Sequence, residues 1–537
     1  MSNSIQDRLE KVLIQQSKGR NENLTLEDLP EPKLIPGMVE AAERIIYNLK
    51  RGLRLLLVGD YDCDGILATV IFMDFFRQTK YSKQIDYIVP DRFIDGYGVS
   101  KNMVDYAINN EYDFIVTVDN GIGAKAAVDY AQENGVEVII TDHHTPGDSV
   151  PNVDILVDLK YDQGEFPFLE ISGATMSWYL CCQVREILDL EIDMRDYLDL
   201  VGITVISDVM PLCDINLVFF REGMKLIKNR HRRLYKYIFS EFKNLTLNET
   251  DLGFGLVPMI NAVGRIDHAK HAVDLFLSRD LTEIKKGVKY LKDINNKRKV
   301  LNDKLFDLVL PEAQKIYDKG EKVIVVRNEN LHEGIVGILA GKIAERFNRP
   351  AFVFGFNKDK QVWKGSGRTT GKIHLFDLAS KVSALALGFG GHAGAVGAAV
   401  EEKNFKKWKK RLGVEAKKID QSVFLDTAFT PIEIDLEDVN DNLIDLLDKY
   451  RPFGQGFPQI LFKSELYIQV KNSYKEGLHW ETELSDKKGK IVPAWFFHNK
   501  TIGERDSKEE KVFFTPQRDF TNEGLKIGVH ATIPHTV

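Results

Sequence analysis

Between Leu53 and Val157 the chain carries short, mainly apolar runs separated by stretches of helical spacing, and acidic clusters stand at the ends of several of them. Leu53 to Gly59, Ile85 to Pro90, Phe114 to Val118, Val136 to Ile140 and Val153 to Val157 read as strands, with Ile66 to Phe76 a helix between the first two. Strands that are apolar at successive residues, rather than only at alternate ones, must be covered on both faces. That predicts a parallel sheet of the α/β class.

Asp60, Asp62 and Asp64 in GDYDCDG, Asp119 in VTVDNGI and Asp142-His143-His144 in TDHHTP each follow such a run. Asp208 in VISDVMPL ends a further strand-like run in the same way. In open α/β sheets the rim beyond the strand ends is where ligands bind. Any one of these Asp residues is as readily a helix N-cap. Capping does not account for D-x-D-x-D followed by paired histidines. Hard cations need carboxylates and imidazole suits first-row metals, so the set reads as a cage for two divalent ions, with Mn2+ preferred and Mg2+ the alternative. Paired ions activate a water and stabilise charge developing on phosphate oxygens.

A chain of 537 residues, 44% hydrophobic and 28% charged, is ordinary for a soluble globular protein of three or four domains. Its net charge of −7 argues against an overall positive coat for nucleic acid and leaves room for a local basic groove. The four cysteines form no C-x-x-C pair, which speaks against a disulfide framework or a thiolate zinc site and fits a reducing cytoplasm. No apolar stretch approaches the roughly 18 residues of a membrane helix, and the polar N-terminus shows no signal-peptide pattern.

Residues 1–35 read as a polar N-terminal extension and 36–225 as the first α/β domain. Within 226–318, a helical linker, Ile284, Val288, Leu291, Ile294, Leu301, Leu305 and Leu308 mark a long amphipathic helix suited to bridging two domains. A second α/β unit, 319–415, contains strands Val323 to Val326 and Ala351 to Gly355, the helix Ile335 to Phe347 and glycine clusters at 365–369 and 388–397. From 424 to 537, VFLDTAF, PIEIDL, ILFKSELYIQV, IVPAWFF, KVFFTP and KIGVHATI read as strands of a small OB-like β-barrel.

GDYDCDG, VDNGI, TDHHTP and ISDVMPL, in this order, resemble the motifs of the DHH phosphoesterase superfamily, and in particular its bacterial single-strand-specific exonucleases. PDRFIDGYG (90–98), NAVGRID (261–267), HEGIVGILAGKIAERFNRPAFVF (332–354), GSGRT (365–369), GFGGHAGAVGAAV (388–400) and RPFGQGFP (451–458) extend the resemblance over nearly the whole chain. It implies a metal-dependent 5′-to-3′ exonuclease that hydrolyses single-stranded DNA to mononucleotides in repair and recombination. A phosphodiesterase for short oligonucleotides or cyclic dinucleotides is the alternative within the superfamily. A non-catalytic scaffold fits less well, because such relatives have eroded metal motifs and every expected ligand is present here.

The resemblance further implies that Asp62, Asp119 and Asp208 hold one ion and Asp64, Asp119 and His143 the other, with Asp119 bridging and Asp60 joining or supporting the first. Asp142 would orient the histidines. His144 would hydrogen-bond a phosphate oxygen, assist protonation of the leaving group, or serve only as a structural neighbour. The second α/β unit would be a DHHA1-type substrate-binding domain facing the first across a cleft. Arg92, Tyr97, Ser366 and Arg368 would contact the 5′-terminal phosphate and nucleotide, Arg265 further phosphates, and Gly390, Gly391 and His392 the substrate near the metals. Without the resemblance, a surface or inter-domain salt bridge is the preferred reading of Arg92 and Arg368, and a turn residue packed between glycines is the alternative for His392. Implied partners are single-stranded DNA with a 5′ end, a single-strand binding protein and a helicase, with the chain itself a monomer. Cys63 and the segment EISGATMSWYL (170–180) depart from the superfamily's pattern. In the barrel, His479, Trp480, Trp495 and Phe496 are candidates for stacking on bases or for buried core.

Overall fold

The computed structural model describes residues 5–147, 149–240, 247–358, 360–370, 373–391, 393–420, 422–425, 431–474, 479–497, 502–521 and 524–532. The expected strands at the start of the chain form one all-parallel sheet. β1 is Leu55–Val58, β2 Ile85–Ile88, β3 Phe114–Val118, β4 Glu137–Thr141 and β5 Ile155–Val157, in the order β2-β1-β3-β4-β5. Alternate residues of each strand feed two separate cores. Leu55, Leu57, Phe114, Val116 and Ile139 point to one, and Leu56, Val58, Ile115, Val138 and Ile140 to the other. That double burial is why the runs are apolar without alternation.

Asp208 does not follow a strand as expected. It closes the helix Leu198–Ser207. Every residue from Leu198 to Val205 is buried, so the segment shows no amphipathic period and reads equally as a core strand or a core helix.

The long helix runs Leu281–Asp318, past Pro311. At about 57 Å it spans two cores: Ile284, Val288, Leu291 and Ile294 belong to that of the first domain, and Leu305, Phe306, Val309 and Ala313 to that of the second. It is therefore a bridge, with Leu308 on its exposed side.

The second sheet comprises β6 (Ile324–Asn328), β7 (Ala351–Asn357), β8 (Val362–Arg368), β9 (Gly388–Gly391) and β10 (Ala395–Glu401), ordered β6-β7-β8-β10-β9 and antiparallel beyond β7. The two glycine clusters thus lie largely in strands. On β8, a Cβ at Gly365 or Gly367 would stand 2.3 Å from the Phe354 ring or 2.4 Å from the Phe352 ring. Phenylalanines fill that face of the strand, and Ser366 and Arg368 alternate to the other face, against Gly337 of the helix Val336–Phe347.

The C-terminal strands are β11 (Ile432–Glu433), β12 (Phe462–Tyr474), β13 (His479–Ser485), β14 (Ile491–Phe496), β15 (Glu509–Thr521) and β16 (Gly524–Thr532). Pairing of β12 with β15 closes them into a barrel. The start of VFLDTAF is not the strand it reads as: Ser422–Leu425 is helical, and residues 426–429 lie outside the described residues. The helix Ile5–Gln16 buries Leu9 and Leu13 in the barrel's core, so this early helix packs on the C-terminal domain.

Candidate metal centre and strand-binding cleft

After β1 the chain turns sharply into the helix Cys63–Phe76. Asp62 caps that helix, its Oδ1 accepting from the N–H groups of Asp64 (3.0 Å) and Gly65 (3.2 Å). Gly65 is required by proximity: a Cβ there would lie 2.5 Å from the Cβ of Asp60. The capping alternative is thus correct for Asp62 and leaves its other oxygen available.

Asp64 is held by a second helix. Its Oδ2 and Oδ1 accept from the N–H groups of Gly173 (2.6 Å) and Ala174 (2.9 Å), which open Gly173–Ile187 behind the Ser172 cap. A helix N-terminus favours an anion, so it steadies the carboxylate. This contact lies in EISGATMSWYL; its Ser-Gly start was the available signal.

Asp119 follows β3 with a left-handed φ of 64°. Asn120 clamps the turn by donating to Val58 O (3.0 Å) and Val118 O (2.9 Å). Asp142 is consumed by positioning. Its Oδ2 accepts from Ile122 N–H (2.9 Å), and its Oδ1 accepts from His143 N–H (2.7 Å) and lies 2.7 Å from His144 Nδ1. Burial alone would raise the Asp142 pKa, but the His144 contact holds it below the carboxylate range. In return His144, which burial would lower, is raised to about 9.

The ligand atoms converge. His143 Nε2 lies 3.0 Å from Asp119 Oδ1, 3.6 Å from Asp64 Oδ2 and 3.7 Å from Asp208 Oδ2. Asp64, His143 and Asp208 form one group with ligand atoms within 4.8 Å of one another, Asp60, Asp62 and Asp119 a second, and Asp119, His143 and His144 a third. Asp119 and His143 each belong to two of these groups. Asp208 falls with Asp64 and His143, whereas the expected division put it with Asp62.

Asp60 Oδ1, Asp119 Oδ1 and His143 Nε2 are buried with no hydrogen-bond partner. Burial, then the neighbouring carboxylates, pushes Asp60, Asp119 and Asp208 well above the normal range and Asp64 to about 7, while burial drives His143 down. Orphaned buried acceptors and crowded acids are the signature of a site completed by cations. The oxygen-rich donor set with imidazole fits Mn2+ or Mg2+.

Over this site the first domain meets the second. Arg92 lies over the Tyr61 ring at 4.9 Å, Tyr61 packs edge-on against Tyr97, and the Tyr97 hydroxyl is 2.9 Å from His144 Nε2. Phe93 packs against His332 of the second domain. The segment NAVGRID is the junction. Asn261 Oδ1 accepts from Cys63 N–H at 2.7 Å, a Cβ on Gly264 would stand 2.1 Å from Tyr61 O, and one on Gly334 would stand 1.8 Å from Arg265 O. Arg265 is pulled down to about 9 by burial and by Arg92, Arg368 and Arg298. Arg368, whose Nη1 donates to Ser366 Oγ (2.6 Å), is pulled to about 10 by burial and Arg92. Arg92, Arg265 and Arg368 thus gather into one cluster, near enough for their charges to be felt. Arg298, on the long helix, belongs to this cluster, and its place in a lysine-rich face concealed it.

Gly390 and Gly391 lie on β9 at the exposed edge of the second sheet, and no described contact brings them to the metal ligands. His392 lies outside the described residues. In the barrel, Phe496 is core and Trp480 packs against that core, whereas Trp495 aligns with the exposed rings of Tyr474 (6.0 Å) and Phe497 (6.4 Å). His479 packs edge-on against Phe497.

Comparison with known proteins agrees with this architecture. The DHH family, N-terminal domain, matches residues 54–204, the DHHA1 domain 320–417 and the RecJ OB domain 431–529. The single-stranded-DNA-specific exonuclease RecJ of Escherichia coli strain K12 is 33% identical over 451 residues, 79% of this chain and 77% of that protein. Its Bacillus subtilis counterpart is 32% identical over 86% of this chain and 59% of its own length. The Mn2+ complex of RecJ from Thermus thermophilus superposes with a TM-score of 0.78 at 26% identity, covering 98% of this chain and 76% of that one. A solved exonuclease RecJ bound to manganese matches with a TM-score of 0.61 at 30% identity, covering 73% and 98%. With its metal-ligand motifs converging beneath an arginine-lined cleft and its three domains matched in order, the chain belongs to the RecJ family of DHH proteins.

Proposed function

We propose that this protein is a metal-dependent exonuclease that degrades single-stranded DNA from the 5′ end to mononucleotides. The observation that carries the reading is the convergence of Asp60, Asp62, Asp64, Asp119, His143 and Asp208, with orphaned buried acceptors among them and Arg92 and Arg265 near enough to feel the carboxylates. Relatives named as single-stranded-DNA-specific exonucleases, one of them solved with Mn2+ and with Mg2+, support both substrate and cofactor.

Two bound divalent cations would supply a nucleophilic water and polarise the scissile phosphodiester. Asp119 would bridge the two sites. Asp64 is fixed for ligation by the helix N-terminus that grips it. Asp142, 2.7 Å from His144 Nδ1, orients that ring and raises its pKa, which suits it to donate to a phosphate oxygen or the leaving oxygen. Arg92, Arg265 and Arg368, with Ser366, would take the 5′-terminal phosphate, and Tyr97 would seat the first nucleotide without reading its sequence. Gly390, Gly391 and His392 remain candidates for contact further along the strand.

A single-strand binding protein and a helicase, which prepare such strands, are the partners this reading implies, with the chain acting as a monomer in the cytoplasm. The free cysteines agree with a reducing compartment, and among the described residues no helix is long and apolar enough to cross a membrane. The test is digestion of end-labelled strands, blocked at either terminus, with Mn2+, Mg2+ or chelator. Degradation only from a free 5′ end, lost with chelator and in folded Asp119→Ala, is expected. Mn2+-dependent degradation retained by Asp119→Ala would overturn the assignment, and preference for oligomers of two to four nucleotides would favour the phosphodiesterase alternative.

A further inference from the structure

Asp208 is held differently from the other ligands. Asp60, Asp62, Asp119 and His143 stand on turns that follow β1, β3 and β4, whereas Asp208 ends a helix, and its side chain is 29% exposed against 3% and 2% for Asp64 and Asp119. The loop that follows opens on Val209 with a φ of 54° and closes on Asp214 with a φ of 48°. A β-branched residue in left-handed backbone persists only where the surroundings over-determine it.

Those surroundings come from both ends of the chain. Leu212 N–H donates to Gln455 O at 2.9 Å, and Leu212 O accepts from Arg20 Nε at 3.0 Å. The same guanidinium donates to Tyr450 O (2.8 Å) and Pro452 O (2.7 Å), pairs with Glu22 and lies 4.0 Å from the centre of the Phe457 ring, with 3% exposure. Asp214 N–H donates to Arg20 O at 3.2 Å. Gly454 sits where a Cβ would come within 2.7 Å of Leu212 Cδ1. One buried arginine thus ties the Asp208 loop to the segment leading into the barrel. The helix preceding that arginine is itself part of the barrel's core.

We infer that Arg20 is a positioning residue for Asp208: by pinning Leu212 to the lead-in of the C-terminal barrel it fixes the carboxylate beside Asp64 and His143, so metal occupancy depends on this one tether. This rests on the nuclease reading of the metal cage.

The test is Mn2+ calorimetry and thermal melting of the full chain as wild type, Arg20→Ala, Asp208→Asn, the double variant and Leu13→Ala. Arg20→Ala is expected to weaken Mn2+ binding about tenfold, Asp208→Asn at least as much, and the double variant no more than Asp208→Asn, because both act on one carboxylate. Leu13→Ala, which loosens the barrel core without touching Leu212, should lower the melting temperature and leave Mn2+ affinity intact. Unchanged affinity in Arg20→Ala, or additive losses in the double variant, overturns the inference. Should Arg20→Ala not fold, Arg20→Lys is read by the same criteria, since it keeps the charge beside Phe457 and cannot span three carbonyls. Failure of the wild type to bind Mn2+ would instead strike the nuclease reading, so the two failures are distinct.

Discussion

Gly173 stands against Asp119: a Cβ on residue 173 would lie 2.3 Å from Asp119 Oδ1. The same residue donates its N–H to Asp64 Oδ2 at 2.6 Å. One glycine therefore touches both carboxylates between which the cations would sit. Gly173→Ala must push Asp119 aside or draw the helix back from Asp64. Overpacking of this kind costs about 1–3 kcal/mol of stability, which a chain of this size survives. Nuclease activity is expected to fall by about 100-fold, the order of a lost charge-stabilising donor, while circular dichroism shows the fold retained. Wild-type turnover in Gly173→Ala would contradict the close packing of helix and cage.

The metal-free cage sets a pH dependence. Asp60, Asp64, Asp119 and Asp208 hold their protons to higher pH in the folded chain than the roughly 4 of an unfolded carboxyl. Between that value and the raised ones, with Asp64 near 7, the folded state binds more protons than the unfolded state. Stability contributed by these groups therefore falls as pH rises through that window. Bound dications remove the penalty. The gain in melting temperature on replacing chelator by Mn2+ should grow from about pH 5 to about pH 8. A gain independent of pH would mean that the carboxyls are ionised without metal.

What the sequence made legible follows from where each element's neighbours lie. β1, β3 and β4 show as mainly apolar runs because both faces are buried, whereas the edge strand β2 leaves Asp86 exposed, and the candidate ligands beyond the strand ends show as acids in loops. The helix before Asp208 is buried on every side, so its period is erased. β8 is masked because Gly365 and Gly367 make room for phenylalanines supplied by β7. Asn120, Asn261 and Gly173 act through backbone groups distant in sequence, and no local pattern reports such contacts. Leu9 and Leu13 pack among residues after 430, which spacing near residue 10 cannot announce.

Arg368 and Arg92 make a prediction about the end of the strand. The cluster with Arg265 concentrates positive charge where a terminal phosphate would sit. Arg368→Ala should raise KM for 5′-phosphorylated strands by about 10- to 100-fold, the worth of a charged hydrogen bond of about 1.5–3 kcal/mol, and change 5′-hydroxyl strands far less. Kinetics on matched substrates with and without the phosphate measure the difference. Equal losses on both would mean that Arg368 braces the domain interface and does not read the phosphate.

The aromatic row on the barrel separates grip from chemistry. Trp495 aligns with Tyr474 and Phe497, each about half exposed, while Phe496 next to it is core. Exposed rings at such spacing cost hydration and repay it when bases stack on them, about 1–3 kcal/mol per base. The metal cage shares no residue with this face, so Trp495→Ala should leave turnover of very short oligonucleotides unchanged. On strands long enough to reach the barrel, KM should rise roughly 5- to 100-fold, with kcat preserved. A matched fall in kcat on short and long strands would show instead that the barrel acts through the fold of the cage, and the row would lose its role as a platform for the strand.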